Sequence, residues 1–198
     1  DEAERRGLAP EALFEDLLRV SPPGAMGLML QPFWNPGVRM PGPEAKGAII
    51  GFGDVHTRAH LYRAIIEGIA HALRAGCTRL EKRNGVAVER LRVSGGGSRS
   101  DEAMRITADL FNRPVERPHT WETSGLGAAI NAAVGAGLHA DHATALAAMT
   151  HAGDRFEPNR EQARLYDQLH HQVYSRLYRR LAPLYQAIRR ITGYPSTS

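Results

Sequence analysis

The sequence holds a single cysteine, Cys77, so no disulfide can form within the chain, and a reducing, cytoplasmic setting is expected. It has no apolar run approaching the roughly 18 residues that a membrane span needs. Its opening, Asp-Glu-Ala-Glu-Arg-Arg, has no apolar stretch behind it and does not read as a secretory leader. Internal repeats and low-complexity tracts are also missing. What remains is a chain of 198 residues, 42% hydrophobic and 23% charged, enough for a packed core in one ordinary domain or one domain with an appendage. The formal charge is +4. The basic residues are mostly arginine and scattered. Their densest set, Arg176, Arg179, Arg180, Arg189 and Arg190, lies on a helical pattern and reads as a solvated face. Neither a nucleic-acid partner nor a membrane partner is expected.

Hydrophobic periodicity alternates strands and helices. A short helix is expected over Pro10–Arg19, with Leu13, Phe14, Leu17 and Leu18 on one face, ended by Ser-Pro-Pro-Gly at 21–24. Short strands are expected at Gly27–Leu30 and Gly47–Phe52, separated by a proline-rich loop. A long helix runs from His56 to about Arg83, capped by Thr57, with Leu61, Ala64, Ile65, Gly68, Ile69, Ala72 and Leu73 as its apolar face. A strand over Glu89–Ser94 precedes a helix to Phe111 that either Ser98 or Ser100 can cap, then a strand and turn over Arg113–Pro118. Helices follow from Thr123 or Ser124 to Gly137 and over His139–Met149. A terminal helix runs from Pro158 to about Ile191, with a kink expected at Pro183. This is an α/β pattern. Four short strand candidates are few for five substantial helices, so the chain reads as part of a larger domain.

The stretch "LRVSGGGSRS", Leu91–Ser100, places three glycines after a strand and before a helix. Glycine lets a backbone turn sharply and lets a ligand touch it, and the following helix N-terminus favours phosphate. The spacing is neither that of a P-loop nor that of a dinucleotide fingerprint, so a simple turn explains it equally well. The small-residue helix "TSGLGAAINAAVGAG", Thr123–Gly137, allows either tight helix packing or a flat ligand.

Together these stretches resemble the C-terminal domain of the FGGY family of carbohydrate kinases. "GAIIGFGDVHTRAHLYRAIIEG" follows the family's second signature, with Phe52 where an aliphatic residue is usual. "LRVSGGGSRS" is similar to its adenosine motif, "ITADLFNRPVERP" to its Ala-Asp-Leu-Leu-Gly-Lys-Pro-Val segment, and "ETSGLGAAINAAVGAG" to its Glu-x-x-Ala-Leu-Gly-Ala-Ala helix. The resemblance implies a ribonuclease H-like (actin-like ATPase) fold, here partial and helix-rich with a small mixed sheet. It implies that residues 1–198 are the nucleotide-binding side of the C-terminal domain, without its first strands and without the N-terminal catalytic domain. It also implies ATP and Mg²⁺ as cofactors and a sugar or polyol as substrate. Gly95 and Gly96 would approach the nucleotide through their backbones, Gly97 would complete the turn, and Ser100 would lie near the adenine and ribose. The family's catalytic aspartate precedes this stretch, and Asp54 does not correspond to it, so no catalytic residue is expected here and the chain alone should be inactive. A non-catalytic interaction module that kept the fold is the alternative. An exposed sheet edge is expected to pair with the missing part or with a second copy, as a homo-oligomer.

Other residues carry blander expectations. His56 and His60 have a metal-ligand spacing but read as a helix cap and a polar anchor. His139, Asp141 and His142 read as a solvated helix start, Glu67 as a hydrogen-bonded structural carboxylate, and Cys77 as a small buried apolar residue. His170 and His171 read as surface or packing residues.

Overall fold

The computed structural model describes residues 2–7 and 10–195. Helices α1 (Glu2–Arg6) and α2 (Pro10–Val20) come first. The antiparallel strands β1 (Met29–Gln31) and β2 (Ala48–Ile50) then pair with Met29 opposite Ile50. The long helix α3 (Arg58–Asn84) leads to β3 (Leu91–Arg92), α4 (Asp101–Phe111) and β4 (Val115–Pro118). After α5 (Thr123–Gly135) and α6 (His142–Met149), β5 (Ala152–Phe156) returns to the sheet. Helix α7 (Arg160–Leu169) passes through a π-helical segment, His170–Tyr174, into α8 (Ser175–Thr192), which continues through Pro183 as one helix.

The strands do not form one sheet. β1 and β2 stand apart from a mixed sheet ordered β3-β4-β5, in which β3 and β4 are parallel and β4 and β5 antiparallel. Among the described residues five strands therefore stand where four were expected. The expected strand over Glu89–Ser94 pairs only at Leu91 and Arg92, and β5 adds a strand that the periodicity did not mark.

The helical layer holds the two sheets together. Ala64 of α3 packs with Ala25 and Leu28, beside β1, and further along α3 Ala70 packs with Leu110 and Phe111 of α4 and Tyr166 of α7. The buried face of α3 is rotated from the apolar one expected. Ile69 and Leu73 are 42% and 59% exposed, while Arg63, Glu67 and His71 are buried. Polar partners arriving from distant segments account for this. Glu67 accepts from Arg63 Nε at 2.8 Å, from the Tyr166 hydroxyl at 2.7 Å and from Gly24 N at 3.0 Å. Arg63 also donates to the carbonyls of Leu18 and Ser21, both at 2.8 Å. The structural role expected for Glu67 is the one observed, because a buried charge persists only when paired and hydrogen-bonded. One turn on, His71 Nδ1 lies 3.1 Å from His170 Nδ1, with the Tyr174 ring stacked on His71 at 4.9 Å. The π segment brings both His170 and Tyr174 inward, whereas His171 is exposed. Cys77 is partly buried, with Arg113 Nη1 at 3.6 Å from its sulfur.

Candidate functional site

The glycine stretch is a single tight turn between β3 and α4. Gly95 has φ 86° and ψ −179°, a region essentially reserved for glycine. Gly96–Arg99 form one 3₁₀ turn. Ser98 is fully buried, and both its backbone N–H and its hydroxyl donate to the Gly95 carbonyl, at 3.0 and 2.7 Å. Gly95 N donates to the Trp121 carbonyl at 3.1 Å, and Thr123 Oγ1 donates to Ser94 Oγ at 3.1 Å, so the turn is tied to the start of α5. Of the two serines that could cap α4, Ser100 does so, accepting from Ala103 N at 3.1 Å.

Chain geometry explains the glycine at 95 only. Neither Gly96 nor Gly97 has a positive φ, and a Cβ built on either would meet nothing within 4 Å. Their backbones face open space directly before the N-terminus of α4. The small-residue helix α5 behaves alike. A Cβ on Gly125 or Gly127 also meets nothing within 4 Å, and Ala128, Ala129 and Ala132 are exposed. Tight packing is therefore not what makes these residues small within this chain.

Three neighbours found only in the structure complete the site. Arg117 of β4 donates to the Ser98 carbonyl at 3.0 Å and pairs with Asp101 at 3.0 Å and with Asp154. Asp154, ahead of Asp101, raises its guanidinium above the ordinary value. Arg99 lies over the Trp121 ring at 4.9 Å. From α2, Glu15 accepts the Ser100 hydroxyl on one oxygen and Glu102 N, at 3.1 Å, on the other. Glu15 lies 85 residues from Ser100, and no local pattern could have linked them. Beside the turn, a groove of about 790 Å³ runs between the three-stranded sheet and helices α5 and α6, with Ser94, Thr123, Gly127 and Ile130 among its walls. On its floor Arg90, Arg92 and Arg155 surround one carboxylate, Glu116, at 3.7, 3.4 and 3.7 Å.

The histidine pair at the start of α3 is used locally. His60 Nδ1 accepts from Thr57 N at 3.0 Å and His56 Nδ1 from Gly53 N at 2.8 Å. Asp141 caps α6 by accepting from Thr144 N at 2.7 Å. Among the described residues no three His, Cys, Asp or Glu side chains converge to hold a metal. What the site can do is bind: an open glycine backbone, a helix N-terminus and a hydroxyl stand side by side.

Comparison with known proteins places this architecture. The family model for the C-terminal domain of the FGGY family of carbohydrate kinases matches residues 1–136. The chain is 35% identical over 178 residues to the uncharacterized sugar kinase YgcE of Escherichia coli K12, covering 89% of this chain and 35% of that protein. It is 38% identical over 139 residues to a glycerol kinase of Geobacter sp. strain M21, covering 70% of this chain and 26% of that protein. The solved xylulose kinase of Rhodospirillum rubrum superposes with a TM-score of 0.72 at 33% identity, covering 89% of this chain and 35% of the enzyme. The chain thus spans about a third or less of the length of these relatives. With the strand–glycine turn–helix order and the family match in agreement, the chain belongs to the FGGY family of carbohydrate kinases, within its C-terminal domain.

Proposed function

We propose that this chain is the nucleotide-binding side of an ATP-dependent kinase that phosphorylates a sugar or polyol hydroxyl. The observation that carries the reading is the bare backbone of Gly96 and Gly97, which nothing within the chain requires to be glycine. A nucleotide lying against that backbone accounts for both positions, as glycines do wherever a ligand must approach the main chain. Gly95 shapes the turn, Gly96 and Gly97 receive the ligand, and Ser100 meets it at the head of α4. Phosphoryl transfer is achieved mainly by positioning and charge stabilisation, and this chain contributes positioning of the donor. ATP supplies the phosphoryl group, and Mg²⁺ arrives on its phosphates, the usual mode for this ion. The base that activates the acceptor hydroxyl belongs to the remainder of the kinase, so the chain alone binds nucleotide without turnover. The outer edge of β3 is completed by that remainder or by a second copy, and the assembly works in the cytoplasm.

Calorimetric titration with Mg-ADP tests this reading. Binding is expected to the chain as it stands and to be lost, by at least about tenfold, in Gly96→Val, since a branched side chain blocks approach to the backbone. The Cβ it adds meets no protein atom within 4 Å and Gly96 has no positive φ, so the thermal midpoint should barely move. Equal binding by both forms, or none by either, overturns it.

A further inference from the structure

Among the described residues no hydrogen bond joins the Arg63–Glu67–Tyr166 network to the His71–His170 pair, although both sit on α3. Glu67 and His71 are four residues apart, so their side chains lie on one face of the helix. Arg63, Tyr166 and Gly24 all donate to Glu67 Oε1, and Oε2 receives none of them. His71 is 1% exposed, and its Nδ1 faces His170. Its Nε2 is buried and meets no donor or acceptor among the described residues. A buried polar atom in that condition is rare in native proteins and calls for a partner. Both side chains line one cavity of about 10 Å³, with Gly24, Gly27, Leu30 and Gly68 among its other walls. That is the room of a single water molecule. Of these walls Gly27 is exposed, which gives solvent a way in without unfolding.

We infer that this cavity is the binding site of one structural water, which donates to Glu67 Oε2, bonds His71 Nε2 and so joins the two networks into one. Glu67 only accepts, so one water proton points to it. Toward His71 the water accepts if Nε2 carries the ring proton and donates if it does not, so either tautomer is served. A cation is a poorer occupant. Arg63 already balances the Glu67 charge and burial keeps the His71 ring neutral, so an ion would bring an unpaired charge into the interior. The water also has a task in the fold. Glu67 holds Gly24 N at the head of a turn in which Ala25 and Met26 take φ of 47° and 56°. Left-handed backbone of this kind persists where its surroundings over-determine it, and the water fixes the carboxylate that anchors the turn.

The test is a crystal structure of the full chain at a resolution that shows ordered water, together with oxygen-17 relaxation dispersion in solution, which counts long-lived waters. A peak is expected at about 2.6–3.2 Å from both Glu67 Oε2 and His71 Nε2. His71→Phe keeps a flat ring without the nitrogen. It should lose the peak, and the dispersion amplitude should fall by the share of one long-lived water. Should that variant fail to fold, the peak in the unaltered chain decides alone. An empty cavity overturns the inference, as does a peak bonded to only one of the two groups. A peak at the shorter distances of a metal ion, about 2.0–2.6 Å, overturns it in favour of a cation. An undiminished dispersion amplitude in a folded His71→Phe chain overturns the role of His71.

Discussion

His71 Nδ1 and His170 Nδ1 lie 3.1 Å apart in the interior, and their environment decides which charge state they keep. Burial, ahead of repulsion between the two rings and from Arg74, pushes His71 down to about 3. Burial, then Arg74, pushes His170 down to about 4. Both rings therefore stay neutral in the folded chain at pH values where a free imidazole, near 6.5, is protonated. Between about pH 4 and 6.5 the unfolded chain binds more protons, so stability falls as pH falls through that window. Urea melts should show the chain at pH 5 weaker than at pH 7.5 by about 2 kcal/mol for the His71 contribution. His71→Gln combined with His170→Gln should flatten the slope. An equally steep slope in the double variant would assign the acid sensitivity to other groups. Arg63 and Glu67 make the opposite use of burial, both staying polar because each finds several partners.

Strand β5 shows how an element can exist without a sequence signal of its own. Ala-Gly-Asp-Arg-Phe has no alternation of apolar and polar residues, and Phe156 enters the core, against Val115 and Met104. Gly153 makes the pairing possible. A Cβ there would lie 2.1 Å from the Arg117 carbonyl oxygen and 2.8 Å from the Pro118 carbonyl, beside the irregularity between Glu116 and Pro118. Gly153→Ala should cost about 1–3 kcal/mol, as overpacking against rigid backbone does. Because Arg117 braces Ser98 and pairs with Asp154 of β5, amide exchange should quicken in β4, β5 and the glycine turn together. Quickening confined to β5 would mean that the brace does not carry. Helices α2, α4 and α5 and the cap Thr57 were legible, and the cap of α4 was narrowed to Ser98 or Ser100, because period and capping chemistry are local. The packed side of α3 was not, since what buries Arg63, Glu67 and His71 comes from Gly24, Tyr166 and His170. The glycine stretch was legible as a turn between strand and helix, whereas Glu15, Arg117 and Trp121 reach it only through the fold.

Taken whole, the molecule is two small sheets leaning on one helical layer. Leu91 N donates to the Pro114 carbonyl just before β4 and Val93 N to the Glu116 carbonyl within it, so by strand alternation the Arg92 N–H faces the open outer edge of β3. Such an edge is a template for pairing. Light scattering should find the chain above its 21.7 kDa monomer mass at high micromolar concentration, and Arg92→Pro, which deletes an outward N–H, should shift it toward monomer. A monomer at every concentration would mean that the edge protects itself. The arrangement of α3 has a mechanical meaning. Its 27 residues make a rod of about 40 Å. Both the β1–β2 pair and α4, at whose head the glycine turn sits, pack on its middle: Ala64, Gly68 and Ala72 meet Leu28, Leu30 and Met29, and Ala70 and Arg74 meet Leu110. A rod transmits tilt faithfully and bends little. The β1–β2 pair and α4 therefore share one short stretch of that rod as their common mounting, so a displacement of either reaches the other, and the turn at the head of α4, across about two helical turns.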